Sequence, residues 1–407
     1  MASSRRAASR GASPAVSLGL RTLIVALGVL LGLSLAAIAG VAGRIARLVV
    51  TPSRRRPDTT IVALDPAAQT ITLTRTPDTE LPGRYGLFTT GAEEYLKLGS
   101  VLQADAGTVK RKLLTEVPTG TQLADPAAFS GWYYDRPEQL HLPYRSTLIG
   151  SAVGPCPAWI FPADGGSDVW CIQIHGRGAA RAECLRAVPL LHSLGITTMV
   201  TSYRNDGEAP RSRTGTYMLG ATEWRDVDAA VGYARRHGAE RIILMGWSMG
   251  GAIALQLELS SAHRDRIVGV ILESPVVDWR VVLRYQGREM GLPEPVTELA
   301  LTALQSEWGA ALTRSGAPIP FDRLDVVARA QELRHPILIL HSDDDGFVPS
   351  EASHQLADAR PDLVDLQVFA VARHTKLWNY DQERWSRAIE SWLDAHALIP
   401  RDAGADT

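Results

Sequence analysis

The sequence predicts an α/β protein: a doubly wound, mostly parallel sheet with a helical cap, preceded by a small β-rich unit and one N-terminal transmembrane helix. Three observations predict it. An uncharged apolar run fills Thr22–Gly43, short β-prone runs broken by turn residues fill about 59–150, and from Pro157 onward apolar strand-like runs alternate with amphipathic stretches. Such alternation buries a parallel sheet beneath helices on both faces. A length of 407 residues suits one large domain and a smaller unit, and 45% hydrophobic with 21% charged residues excludes wholesale disorder.

Charge and cysteine content narrow the partners. Lys and Arg number 42 against 44 Asp and Glu, so no overall positive field exists to hold a polyanion, and nucleic acid is not an expected partner. Cys156, Cys171 and Cys184 are an odd set without C-x-x-C spacing, which encodes neither a disulfide framework nor a thiolate zinc site.

Residues 1–21 read as a mobile basic tail. The run 22–43 has no charge over 22 residues, and at about 1.5 Å per residue it spans a hydrocarbon core of about 30 Å, so it reads as a transmembrane helix. A cleaved signal would have a shorter apolar stretch and a small-residue cleavage site. Arg5, Arg6, Arg10 and Arg21 precede the run and Arg44, Arg47, Arg54, Arg55 and Arg56 follow it, so the positive-inside rule does not decide orientation. The working expectation is a single-pass membrane protein with its catalytic domain on the extracytoplasmic side. Residues 44–58 read as a stiff basic linker near headgroups.

The β-rich unit at 59–150 carries the runs IVAL, TITLTRT, YGLF, YLKLGSVLQA and VKRKLLTEV, the last expected to turn a basic face to solvent. No chemistry is evident there. The region 151–398 is the α/β domain and 399–407 a flexible tail. Ligands in such sheets bind beyond the carboxyl ends of the strands, so the polar residues ending each strand are the candidates.

In RIILMGWSMGGAIAL a strand ends in Gly246-Trp247-Ser248-Met249-Gly250 and a helix starts at once. A hydroxyl at that sharp turn stands clear of the backbone, and Gly246 and Gly250 are needed where a Cβ would collide with neighbouring elements. Ser248 is therefore placed as a nucleophile, and the Met249 N–H at the helix start as an oxyanion donor. Serine needs a base, and His374 follows the last strand-like run, DLQVFAV, on the same sheet edge. After PILILH come three adjacent acids, Asp343, Asp344 and Asp345, with Asp278 as a further acid near a strand end. Calcium-loop spacing is missing from the three. The glycine-rich loop His175-Gly176-Arg177-Gly178 supplies a second oxyanion donor, Arg177 N–H ahead of Gly176 N–H. Arg177, Arg204, Arg211 and Arg213 together suggest a weaker idea, an anionic acyl carrier at the site edge.

With nucleophile, acid loop and histidine loop in that order, 157–398 resembles the α/β-hydrolase superfamily, in its serine-hydrolase branch with the serine-aminopeptidase-like proteins. HGRG, SYRND, GWSMGG, ESPVVDW, HSDDDGFVP and RHTKLWN carry the resemblance. The branch's H-G-x-x-D-x-x-V-P pattern aligns with His341 to Pro349 and selects Asp345, with Ser342 in place of the usual Gly. Arg373 stands where the branch often has Gly. The resemblance implies hydrolysis of a carboxylic ester or thioester through an acyl-enzyme, with catalytic Ser248, Asp345 and His374. It implies a small-molecule acyl substrate, extending to lipid-like ones, and no cofactor or metal. A peptidase or amidase of the same fold, or a membrane-tethered scaffold without turnover, are the alternatives.

About 60 residues separate ILES from PILILH, too many for a simple connection. They predict a helical cap at about 276–334, with Trp279, Val282, Leu283, Leu299, Leu301, Leu304 and Trp308 divided between the sheet and an acyl tunnel. The N-terminal helix is expected only to tether, so removing the first 57 residues should leave turnover on soluble esters unchanged.

Overall fold

The computed structural model describes residues 14–53, 55–89 and 95–400. Helix α1 (Pro14–Val50) is longer than the predicted 22–43 at both ends. Residues 14–21, expected in the tail, are helical, while 1–13 lie outside the described residues. Residues 44–50, expected as linker, are helical too. Ala42, Ala46 and Val50 recur every four residues and are buried, so a helical stripe packed on the body extends α1 past its uncharged run. From Leu23 to Leu33, and again at Ile38 and Val41, the apolar side chains are exposed.

Six strands, β1 (Thr59–Asp65), β2 (Thr70–Thr74), β3 (Tyr85–Thr89), β4 (Tyr95–Ala104), β5 (Thr108–Leu113) and β6 (Pro126–Ser130), close into a barrel in the order β1-β2-β5-β4-β3-β6. Ile71, Leu73, Leu87 and Leu98 fill it. The expected solvated basic face of β5 forms, with one exception. Lys110 and Lys112 are exposed, but Arg111 points inward at 0% exposure and donates to the carbonyls of Gly99, Thr79, Leu81 and Gly83 at 2.8–3.1 Å. Burial pushes its pKa down to about 10. Its fork of donors matches carbonyls that a small barrel leaves inside, and strand alternation alone does not reveal that.

The second sheet begins with β7 (Arg145–Ser151), antiparallel to β8 (Gly154–Phe161), so it starts before the expected boundary at 151. Along the chain follow β9 (Val169–Ile174), α2 (Val188–Ser193), β10 (Thr197–Thr201), α3 (Trp224–Arg236), β11 (Arg241–Trp247), α4 (Met249–Ser260) and β12 (Ile267–Glu273). Four helices form the segment predicted as a cap: α5 (Trp279–Glu289), α6 (Glu294–Leu304), α7 (Glu307–Thr313) and α8 (Phe321–Leu324). The chain closes with β13 (Ile337–Ser342), α9 (Glu351–Ala359), β14 (Val364–Phe369), α10 (Leu377–Tyr380) and α11 (Gln382–Ala395). Of the expected flexible tail, Ile399 packs against a core cluster and 401–407 lie outside the described residues.

The sheet order is β14-β13-β12-β11-β9-β10-β8-β7, parallel from β14 to β10. Apolar clusters cover its two faces. The chain leaves β9 toward β10 on one side and returns to β11 on the other. The loops after β9 and β11 therefore diverge at a switch point, which opens a crevice at the carboxyl edge.

Candidate active site

Strand β11 delivers Ser248 into that crevice. Its backbone sits at φ 53°, ψ −117°, a strained conformation for a residue with a Cβ. The Ser248 amide donates to the Glu273 carbonyl at 3.1 Å, and its carbonyl accepts from Val276 at 3.1 Å, which pins the turn from both sides. A Cβ on Gly246 would lie 2.4 Å from the Gly250 carbonyl oxygen, and one on Gly250 would lie 2.1 Å from that of Ile174. The two glycines permit the close crossing of strand and helix.

His374, in the loop after β14, has Nε2 3.0 Å from Ser248 Oγ and Nδ1 2.8 Å from Asp345 Oδ2. Asp345 is buried, and its Oδ1 accepts from the amides of Phe347 and Val348 at 2.9 Å each. Burial alone would raise its pKa. The opposing charge and hydrogen bonds of His374 and His341 outweigh that and hold the carboxyl well below the usual range, so it is ionised. Asp343 instead bonds Ser350 and His354, and Asp344 pairs with Arg373. Asp278 is the N-cap of α5, accepting from the Arg280 amide at 2.8 Å. Only Asp345 of the four acids meets the histidine.

Among the loop glycines, the Gly176 amide donates to Glu183 Oε2 at 2.7 Å and is thereby engaged. A Cβ on Gly176 would lie 3.3 Å from Ser248 Cβ, so this loop runs against the serine. The Met249 amide, first in α4, has no intrahelical acceptor. The arginine cluster at the site edge does not form. Arg204 is paired through two bonds with buried Asp226 at 2.7 Å, the Arg177 guanidinium is engaged by carbonyls at the end of α1, and Arg204, Arg211 and Arg213 are not among the described residues lining the cavity.

Three residues support the site in ways that no sequence pattern stated, although His175 and His341 lie within the quoted motifs. His341 Nε2 donates to the Val348 carbonyl at 3.0 Å and lies 3.5 Å from Asp345 Oδ2, bracing the acid loop. Arg186 donates through one nitrogen to the carbonyls of Gly131 and Thr375 and to Asn379 Oδ1, joining the barrel exit to the His374 loop. His175, next to the glycine loop, faces the Gly176 carbonyl with Nδ1 at 2.9 Å and Asp206 with Nε2 at 3.1 Å. Both partners are acceptors, an arrangement that favours a proton on each ring nitrogen. Burial lowers the His175 pKa, but the bond and charge of Asp206 more than reverse this and raise it.

A cavity of about 540 Å³ opens beside Ser248. The cap gives it Trp279, Val282, Leu283, Leu301 and Leu304; the barrel side gives Ser130 and Trp132, with Arg55 from the segment before it. Of the other two cap residues, Leu299 takes the core side of the expected division and Trp308 is corrected, facing neither core nor cavity. Leu299 packs against the core cluster, and Trp308 is 53% exposed, because α7 turns that face away from the cavity. A third wall, Ile45, Leu48 and Val49, comes from α1.

Fold and edge-of-sheet site define an α/β hydrolase. The chain belongs to the alpha/beta hydrolase family, whose model matches residues 165–388. Residues 60–130, the barrel, match a domain of unknown function. The structure is similar to an esterase from Pyrococcus furiosus, at 20% identity, TM-score 0.51, and coverage of 64% of this chain and 94% of that one. It is also similar to a thermophilic esterase from Thermogutta terrifontis, at 20% identity, TM-score 0.46, and coverage of 62% and 99%.

Proposed function

We propose that the protein is a serine hydrolase that cleaves a carboxylic ester or thioester through an acyl-enzyme, held at a membrane by α1. The observation that carries this reading is the continuous bonding from Ser248 Oγ through His374 to buried, ionised Asp345. Ser248 Oγ attacks the substrate carbonyl carbon as its proton passes to His374 Nε2, while Asp345 holds Nδ1–H and stabilises the imidazolium. The amides of Met249 and Arg177 receive the oxyanion. His374 returns the proton to the leaving oxygen or sulfur as its bond to carbon breaks. Water then repeats the sequence on the acyl-enzyme and frees Ser248.

An ester or thioester is favoured over an amide because the cavity wall is largely aliphatic. Among the described residues that line it, no carboxylic acid other than the braced Glu183 and the paired Asp78 stands ready to select a peptide amine. A scaffold without turnover has no need of a strained serine bonded to a histidine. The test is hydrolysis of short-acyl p-nitrophenyl esters by the wild type and by Ser248→Ala, which should be slower by on the order of 10⁴ to 10⁶. Equal rates would remove the assignment. The anchor reading rests on the exposed apolar length of α1, and labelling of a cysteine placed in the N-terminal tail of intact cells tests the extracytoplasmic placement of the domain.

A further inference from the structure

One helix serves both the exposed apolar stretch and the cavity. Leu30, Leu31, Leu33, Ile38 and Val41 of α1 are exposed, and a few residues later Ile45, Leu48 and Val49 line the space beside Ser248. From Gly43 to Leu48 is about 7.5 Å along the axis at 1.5 Å per residue. With the exposed stretch in hydrocarbon, the cavity mouth lies at the bilayer surface.

The junction is built for this placement. Leu312 of α7 closes over Gly43, where a Cβ would come within 2.6 Å of it. One turn earlier on the same face, Trp308 is exposed beside exposed Leu312, and tryptophan is a residue that settles at headgroup level. Helix α6 packs on α1 and gives Leu301 and Leu304 to the same cavity, so the two helices bound an apolar slot.

The α1 wall is also fixed to the catalytic body. The last carbonyls of a helix have no intrahelical partner. Here Arg177 donates to those of Val49 at 2.9 Å, Leu48 at 2.6 Å and Thr51 at 3.2 Å, and the Tyr217 amide donates to that of Val50 at 2.8 Å. Arg177 belongs to the loop that runs against Ser248, so the end of α1 and the reaction centre are held by one residue.

We infer that α1 is a substrate-binding element as well as an anchor: the site takes the acyl chain of a bilayer-resident ester, which passes from the lipid along α1 into the slot between Ile45, Leu48, Val49 and the cap. This rests on the reading of Ser248 as nucleophile and α1 as anchor. The experiment uses the full chain reconstituted in phosphatidylethanolamine and phosphatidylglycerol vesicles, with p-nitrophenyl acetate and p-nitrophenyl dodecanoate as probes. In Leu48→Trp and Ile45→Trp the ratio of kcat/KM for dodecanoate over acetate should fall at least tenfold. Leu48 is half exposed, so that variant remains informative if Ile45→Trp does not fold. A fluorogenic long-chain ester lipid should be cleaved at least tenfold faster in the enzyme's own vesicles than in separate ones. An unchanged ratio in folded variants, or equal rates in the two vesicle arrangements, overturns the inference. Wild type that hydrolyses acetate while the folded variants keep its ratio refutes the inference about α1 and leaves the nucleophile reading standing. Folded wild type inert to acetate and to a fluorophosphonate probe loses the nucleophile reading itself.

Discussion

Ser248 occupies a backbone conformation that costs about 1–3 kcal/mol for a residue with a side chain. The surrounding bonds hold it there because the turn sets Oγ within reach of His374. Asp345→Asn should lose nearly as much ester turnover as Ser248→Ala, since an amide cannot stabilise the imidazolium, whereas Asp343→Asn and Asp278→Asn should keep most activity. A crippled Asp278→Asn would reassign the acid. The His175–Asp206 pair gives a pH prediction. Asp206 is depressed: burial raises its pKa, but the His175 bond and charge prevail, so its contribution is present above about pH 3.9 and lost on acidification through its folded value. His175 is raised, so its contribution is complete below about pH 6.5 and is lost as pH rises through its folded value. The Tm difference between wild type and His175→Gln should therefore narrow from pH 6 to pH 9; a difference that widens would contradict the doubly protonated ring. At this scale the sequence was most readable where chemistry demands a pattern. Ser248 and its glycines stand out because sterics demand them, and Asp345 emerged from three adjacent acids only through a motif. Arg186 was not legible, because a lone Arg has the same appearance whether it braces a site or faces solvent, and the motif that contains His341 did not state its bracing role.

Elements behave differently from residues. The cap helices were legible from apolar residues at helical spacing, but which side each residue faces depends on how α5, α6 and α7 turn against one another. Leu304, 2% exposed and on the cavity, and Trp308, 53% exposed and off it, lie four residues apart across a helix break. Leu304→Trp should therefore shorten the preferred acyl chain, each excluded methylene being worth about 0.8 kcal/mol, while Trp308→Ala leaves the chain-length optimum of soluble esters in place. A shift in the second and none in the first would invert the account of the cap. The end of α1 supplies a stability prediction. Arg177→Ala keeps the backbone amide but strips the partners from the carbonyls of Leu48, Val49 and Thr51, and should cost about 1–3 kcal/mol in denaturant unfolding. Stability equal to wild type would mean that water replaces the clasp without loss. The clasp had no trace in the sequence, since it joins residues nearly 130 positions apart.

For the whole molecule, the barrel, the sheet domain and α1 all border one cavity. The sequence divides the chain into tail, tether, β-rich unit and hydrolytic unit because composition changes at those places, yet composition says nothing of packing between units. Hence the expectation that α1 is a dispensable tether does not follow from the structure. Removing the first 57 residues uncovers the groove that receives Ala42, Ala46 and Val50 and deletes four lining residues, Ile45, Leu48, Val49 and Arg55. The truncated protein should unfold at a lower temperature and lose long-chain ester turnover more than acetate turnover; identical profiles would restore the tether. All of this depends on Ser248 being the reacting group. The most direct measurement is fluorophosphonate labelling of the full-length protein followed by intact-mass and peptide mapping. One adduct per chain on the Ser248 peptide, absent from Ser248→Ala and slowed in Asp345→Asn, is the expected result, whereas no adduct on folded protein, or one on another serine, would contradict it.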